Sequence, residues 1–315
     1  MRTALLLGVL LTPVTSVAQT WAVTAQAPVA GTALASTNIY PLITSQPATL
    51  PAGPVPAGPF LACTVGGGAT HAVVGADWSP SVPGQVAPLA FAASCTWGCG
   101  MNVLFGVATA SLQADIDLLL QAPQATSGRL RLHVSPNQPS PLQATHTVDV
   151  DVGADGIVDY RASTQEQADL ALQIPANGIV VRVSLRIAAL VGSGTGFGSL
   201  GVTAEFFPGE PVLSVFDTTG AGASLTWQQT PGQMALTLGE PTTTPLLMAF
   251  GTQPLSIPVL PTVTVLVTLD VLLATGSVTL PAVSLPPGSA FYVQGLVLDA
   301  TNTLRSSNSV RLYWP

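Results

Sequence analysis

The densest supply of ligand oxygens lies in the run Asp149-Val150-Asp151-Val152-Gly153-Ala154-Asp155-Gly156-Ile157-Val158-Asp159. Calcium takes about six to eight oxygens, which closely spaced carboxylates on a tight loop can supply. Asp151, Asp155, Gly156 and Asp159 fall on the calcium-loop spacing D-x-[DN]-x-D-G-x-x-D, so Asp151, Asp155 and Asp159 are the candidate metal ligands and calcium the candidate cofactor. Two positions depart from that pattern. Gly153 offers no side-chain oxygen at the third position, and Ala162 stands at the twelfth, where a bidentate Glu would close the loop. The same residues also read as two strands, T-V-D-V-D-V and I-V-D-Y-R-A, joined by Gly-Ala-Asp-Gly turn chemistry. The plain hairpin is the preferred reading and a bound ion the alternative.

Cys63, Cys95 and Cys99 supply the thiol chemistry. In an oxidising compartment three cysteines favour one disulfide and one leftover thiol. Cys95 and Cys99 can close a tight C-T-W-G-C loop with Trp97 at its tip, and this is the preferred pairing. Cys63 bonded to either would close a longer loop and stabilise more, by about 3–4 kcal/mol. A zinc site would need His71 as its fourth ligand, and no base is placed beside any cysteine to activate it.

Other patterns carry less. Gly196-Phe197-Gly198-Ser199-Leu200-Gly201 matches G-x-G-x-x-G, but no helix follows to hold a pyrophosphate, so it reads as a loop between strands. His71, His133 and His146 each read as structural. The pairs Asp115/Asp117 and Asp149/Asp151 invite glycosidase chemistry, which needs two carboxyls facing each other across a cleft. Two aspartates at i and i+2 on one strand point the same way and do not provide that. Trp21, Trp78, Trp97, Trp227 and Trp314 are spread singly, and Trp97 is the leading candidate for stacking a sugar.

These side chains must be positioned by strands, because two-residue alternation dominates the chain. Leu112, Ala114, Ile116 and Leu118 alternate with Gln113, Asp115 and Asp117. Leu130, Leu132 and Val134 alternate with Arg129, Arg131 and His133. Paired as a hairpin, these two strands would set the aspartates against the arginines on the wet face. Ile179 to Leu190 is the cleanest strand, and Thr262 to Leu269 and Ala290 to Leu298 repeat the theme. No mature segment carries a sustained 3.6-residue apolar stripe. The expected fold class is therefore all-β, with two β-sandwich-like domains.

Residues 1–18 read as a cleaved signal peptide: Arg2 precedes the apolar stretch Ala4 to Leu11, and Ser16 and Ala18 occupy the small-residue cleavage positions. Removing those 18 of the 315 residues leaves more chain than one hydrophobic core organises. The N-terminal domain is placed at 19–209, with a Pro-rich connector at 47–59, and the C-terminal module at 210–315, divided at Pro208-Gly209-Glu210-Pro211. Charge is scarce, at 7% of residues and a net −7, and all eight basic residues are Arg. A nucleic-acid-binding face is therefore not expected. No transmembrane helix is expected either, because prolines interrupt the longest later uncharged stretch.

The ending L-P-P-G-S-A-F-Y-V-Q-G-L-V-L-D-A-T-N-T-L-R-S-S-N-S-V-R-L, from Leu285 to Leu312, resembles a C-terminal β module of uncharacterised secreted proteins of aquatic environmental bacteria. Its core phrase is Y-x-Q-x-x-V-L-D followed by S-N. The resemblance implies a secreted β-rich architecture and no activity. The expectation is a secreted, periplasmic or cell-surface protein without catalysis, serving a structural, surface or ligand-binding role, with extracellular polysaccharide or cell-surface components as partners. A secreted hydrolase acting on glycans, its site assembled from distant loops, is the alternative.

Overall fold

The computed structural model describes residues 20–26, 30–39, 42–50, 53–67, 70–102, 106–137, 143–219, 221–239, 243–283 and 285–315. Residues 1–18, expected to be a signal peptide, lie outside the described residues. The described residues form strands joined by turns, bends and irregular stretches, and no helix there is long and apolar enough to cross a membrane.

Thirteen strands build the first part of the chain. They are β1 (Ala22–Ala25), β2 (Ala30–Ile39), β3 (Leu42–Thr49), β4 (Gly58–Gly67), β5 (Thr70–Ser79), β6 (Leu89–Met101) and β7 (Gly106–Gln121). After these come β8 (Thr126–Asn137), β9 (Gln143–Val152), β10 (Tyr160–Ala162), β11 (Glu166–Ile174), β12 (Ile179–Val191) and β13 (Gly194–Pro208). One sheet runs β10-β9-β12-β7-β2-β3, with β1 also paired to β7, and the other runs β11-β8-β13-β6-β5-β4. Their inner faces share one core, in which Ile116, Leu118, Val183, Leu185, Leu132 and Val202 are sealed from water. Burying an aliphatic side chain of this size contributes about 1.5–3 kcal/mol. Alternation sends Arg182 and Arg186 of β12 outward while Val181, Val183, Leu185 and Ile187 point in.

The expected hairpin between the strands around Asp115 and Arg129 does not form. β7 and β8 lie in opposite sheets, and β7 pairs instead with β12 and β2. Asp117 accordingly meets Arg182. Period two says which face of a strand is buried, not which neighbour it takes, and here successive strands repeatedly cross between the sheets. The Pro-rich segment is one such crossing, joining β3 to β4. Its Val55 and Pro56 carbonyls accept from Trp78 Nε1 at 3.2 and 2.8 Å.

The second part contains β14 (Val212–Asp217), β15 (Ala221–Ala223), β16 (Leu225–Thr230), β17 (Gln233–Leu238), β18 (Thr244–Gly251) and β19 (Pro254–Leu260). It continues with β20 (Val263–Val267), β21 (Val271–Leu273), β22 (Ser277–Pro281), β23 (Ala290–Leu298) and β24 (Leu304–Tyr313). These form a sheet β14-β24-β23-β18-β21, with β15 parallel to β24, a sheet β16-β17-β22, and the ribbon β19-β20. The buried clusters separate at residues 207–212: one is drawn from Ala33 to Phe206, the others from Leu213 to Trp314.

Residues of the C-terminal phrase tie these sheets together. Gln294 on β23 accepts from Leu266 N–H at 2.9 Å and donates to Thr264 O and Ser307 O, so its amide links β20 to β24. Asn308 on β24 does the same for β16, accepting from Leu225 N–H at 2.7 Å and donating to Leu225 O at 3.1 Å. Each amide stands in for a missing strand at a place where buried main-chain groups would otherwise go unpaired.

Candidate functional site

The outward face of the first sheet gathers four aspartates and three arginines, Asp115, Asp117, Asp149, Asp151, Arg161, Arg182 and Arg186. Asp115 and Asp149 both sit in register with Ser184, on the two strands flanking β12, and Asp117 and Asp151 both sit in register with Arg182. The structure thus brings together the two i, i+2 pairs that sequence spacing kept apart. Strands are spaced about 4.8 Å apart, so the backbones carrying Asp115 and Asp149 lie about 10 Å from one another.

Arginines neutralise this grid. Arg182 clasps Asp117 through Nε at 2.8 Å and Nη2 at 3.1 Å. Arg161, from the neighbouring β10, clasps Asp149 at 2.6 and 2.9 Å, and Arg186 Nη1 reaches the same carboxylate at 3.4 Å. Asp115 differs from the others. It is 9% exposed, Gln113 Nε2 approaches its Oδ2 at 3.5 Å, and its Oδ1 has no hydrogen-bond partner among the described residues. Two shallow cavities of about 560 and 500 Å³ open on this face. Thr109, Ser111 and Thr145 line the first, and Thr32, Gln113 and Arg186 the second.

The Asp151–Asp159 segment is a hairpin connection between β9 and β10. Asp151 accepts the N–H groups of Asp155 and Gly156 at 3.1 and 2.9 Å, Asp155 accepts Ile157 N–H at 2.8 Å, and Asp159 accepts Val152 N–H at 2.7 Å. Gly153 and Gly156 take positive φ, as does Ala154 at 52°, a conformation that favours glycine. Among the described residues no three His, Cys, Asp or Glu side chains converge on one ion position.

The disulfide expected between Cys95 and Cys99 is absent, and all three cysteines are free and buried. Cys95 and Cys99 lie four residues apart in β6, a strand rather than a loop. At about 3.3 Å per residue their Cα atoms are about 13 Å apart, beyond the roughly 7 Å a disulfide can span. Cys63 lies two strands from β6, on β4, where its thiol donates to Gln46 O and accepts from Ala35 N–H. Burial pushes the thiols of Cys95 and Cys99 up to about 12 and about 11, so both stay protonated at neutral pH and neither is a nucleophile.

Trp97 shares that strand and is 4% exposed, so it offers no surface to a sugar. The G-x-G-x-x-G run is strand as well, part of β13. Gly198 sits opposite Trp97, where a Cβ would come within 2.7 Å of the indole nitrogen. Gly198 makes room for an indole, not a phosphate. The histidines do not converge. His71 and His133 lie three strands apart in the second sheet, and His146 lies in the first, where burial lowers its pKa.

A different tryptophan lines a cavity. Trp227 on β16 is half-buried beside an opening of about 660 Å³, together with Val215, Thr218, Ser224, Thr226 and Asn308. No ionisable side chain lines this opening. Tryptophan pattern alone could not single it out. Trp21 packs on Phe206, Trp78 and Trp314 give their indole N–H groups to backbone carbonyls, and all five look alike in the sequence.

No protein-family model matches the chain, and no curated protein does. Among solved structures, a β-1,2-glucanase from Parabacteroides distasonis is similar at 10% identity and a TM-score of 0.19. The alignment covers 82% of this chain and spans 38% of that enzyme's length. At that TM-score the likeness carries no argument about activity.

Proposed function

We propose that this chain is an exported, non-catalytic β-rich protein whose role is to bind extracellular polysaccharide at the cell surface. One observation carries this reading. Five cavities open on the described residues, four of about 500 to 660 Å³ and one of about 210 Å³, and Thr, Ser, Ala and Gln make up about half of their lining. Among the described residues no histidine reaches any of them, Arg186 lines one and Glu210 is the carboxylate that lines another. Glu210 is itself committed to Arg129, Gln229 and the N–H of Gly232. Acid–base chemistry needs carboxyls or imidazoles free to face a substrate, whereas hydroxyl-lined openings suit recognition.

The test is co-sedimentation of the purified mature chain with a set of insoluble polysaccharides, run beside an assay for newly formed reducing ends. Binding without release of sugar supports the proposal. Sustained release of reducing ends would replace it with the hydrolase alternative. The partnerless Oδ1 of Asp115, two strands from Asp149, is the observation favouring that alternative. In that case Asp115→Asn should abolish the release while leaving the fold intact.

A further inference from the structure

β16 is an edge strand: it pairs with β17 on one side, and its other edge faces the cavity beside Trp227. Along a strand, the N–H and C=O of alternate residues point to the same edge. Leu225 shows which residues face outward here, because both its main-chain groups are held by the amide of Asn308. Two residues beyond Trp227, the carbonyl of Gln229 accepts from Arg131 Nη2 at 2.9 Å. The N–H and C=O of Trp227 therefore point the same way, onto a stretch of open edge that Asn308 blocks at one end and Arg131 at the other.

We infer that this cavity binds an uncharged sugar residue, held by the main chain of Trp227 and stacked on its indole; the inference rests on the polysaccharide reading above. The length of the open edge selects the ligand. One free residue is too short for a peptide to add as a strand, which relies on a ladder of main-chain bonds. Adjacent hydroxyls of a sugar supply one donor and one acceptor in a small space, matching one C=O and one N–H. The indole packs in part on the C-terminal core and in part lines the opening, where it offers an apolar surface to the ring's C–H face, and Thr218 and Ser224 add hydroxyls around it. Among the described residues no ionisable side chain lines the cavity itself, and the two guanidinium groups beside it, those of Arg131 and Arg305, are already paired with Asp169 and Asp299, so the opening suits a neutral sugar better than an anionic one.

The experiment titrates the full mature chain with neutral oligosaccharides of glucose, mannose and galactose and with an oligouronate, following binding by calorimetry. A neutral sugar should bind with an affinity that changes less than about twofold between low and high salt. Trp227→Ala should weaken binding by about tenfold or more, and Trp227→Phe by much less. Thr218→Arg, at an exposed position that lines the opening outside the strands, should block the cavity even if the alanine variant fails to fold. Binding unaffected by Thr218→Arg or Trp227→Ala would move the site elsewhere and leave the polysaccharide reading standing. Salt-sensitive binding of the oligouronate alone would overturn the neutral-ligand inference and point to Arg186. No binding of any sugar would overturn both.

Discussion

Arg129 Nη2 lies 2.6 Å from Glu210 Oε2, and this pair bridges β8 of the first sandwich to the segment that leads into the second. Arg129 is fully buried and Glu210 is 8% exposed. The same guanidinium reaches Asp169 at 2.8 Å and lies 4.6 Å from the ring centre of Phe207. Pro208-Gly209-Glu210-Pro211, which reads as a boundary, is thus fastened to the first sandwich by its own glutamate.

Removing Glu210 should be costly, because the fully buried Arg129 then keeps Asp169 as its one paired carboxylate among the described residues. Glu210→Gln is expected to lower unfolding free energy by about 1.5–3 kcal/mol in urea, the worth of a hydrogen bond to a charged group. Adding Arg129→Met to it should cost less than the two single effects summed. A loss below about 0.5 kcal/mol for Glu210→Gln would show that the pair does not secure the junction.

The amides of Gln294 and Asn308 make a similar prediction for the C-terminal module. Asn308→Ala leaves both main-chain groups of Leu225 unpaired in a buried setting, and should destabilise by about 2–4 kcal/mol, taking about 1–3 per orphaned group and allowing for some rehydration. Hydrogen exchange at the Leu225 amide should accelerate with it. An unchanged exchange rate would mean that β16 is held by other contacts.

The thiols should be silent in the native state. Ellman's reagent is expected to label none rapidly in the folded chain and three per chain in denaturant. Because burial raises Cys95 and Cys99 above the ordinary value of 9.0, to about 12 and about 11, the fold favours their protonated forms. Their contribution is fully present below about pH 9 and is lost as pH rises toward 11 to 12, where the unfolded chain is already ionised. Cys95→Ala should flatten that alkaline decline; a decline identical to the parent's would assign it to other groups.

Calcium at Asp151, Asp155 and Asp159 is tested by melting the protein with calcium and with chelator. The three carboxylates already accept main-chain N–H groups, so the loop is closed by its own amides. The expected outcome is a midpoint that stays within about 1 °C. A rise that grows with calcium concentration would establish the ion, since a ligand of the native state stabilises by mass action.

Much of the architecture was legible without coordinates. The alternation of Val181, Val183, Leu185 and Ile187 with Arg182, Ser184 and Arg186 determines a strand with one core face, because side chains on a pleated backbone repeat every two residues. The same rule, with no helical stripe to compete, determines an all-β fold. It also marks Gln113, Asp115 and Asp117 as pointing away from the core. What it cannot specify is partnership. That Asp117 finds Arg182, that Asp115 and Asp149 flank Ser184, that Cys95 and Cys99 stand a strand's length apart, and that Trp227 alone among those indoles lines an uncharged opening all depend on which strands cross between sheets. Those choices are made by the summed packing of two inner faces, in contacts between residues far apart along the chain. No local spacing encodes them.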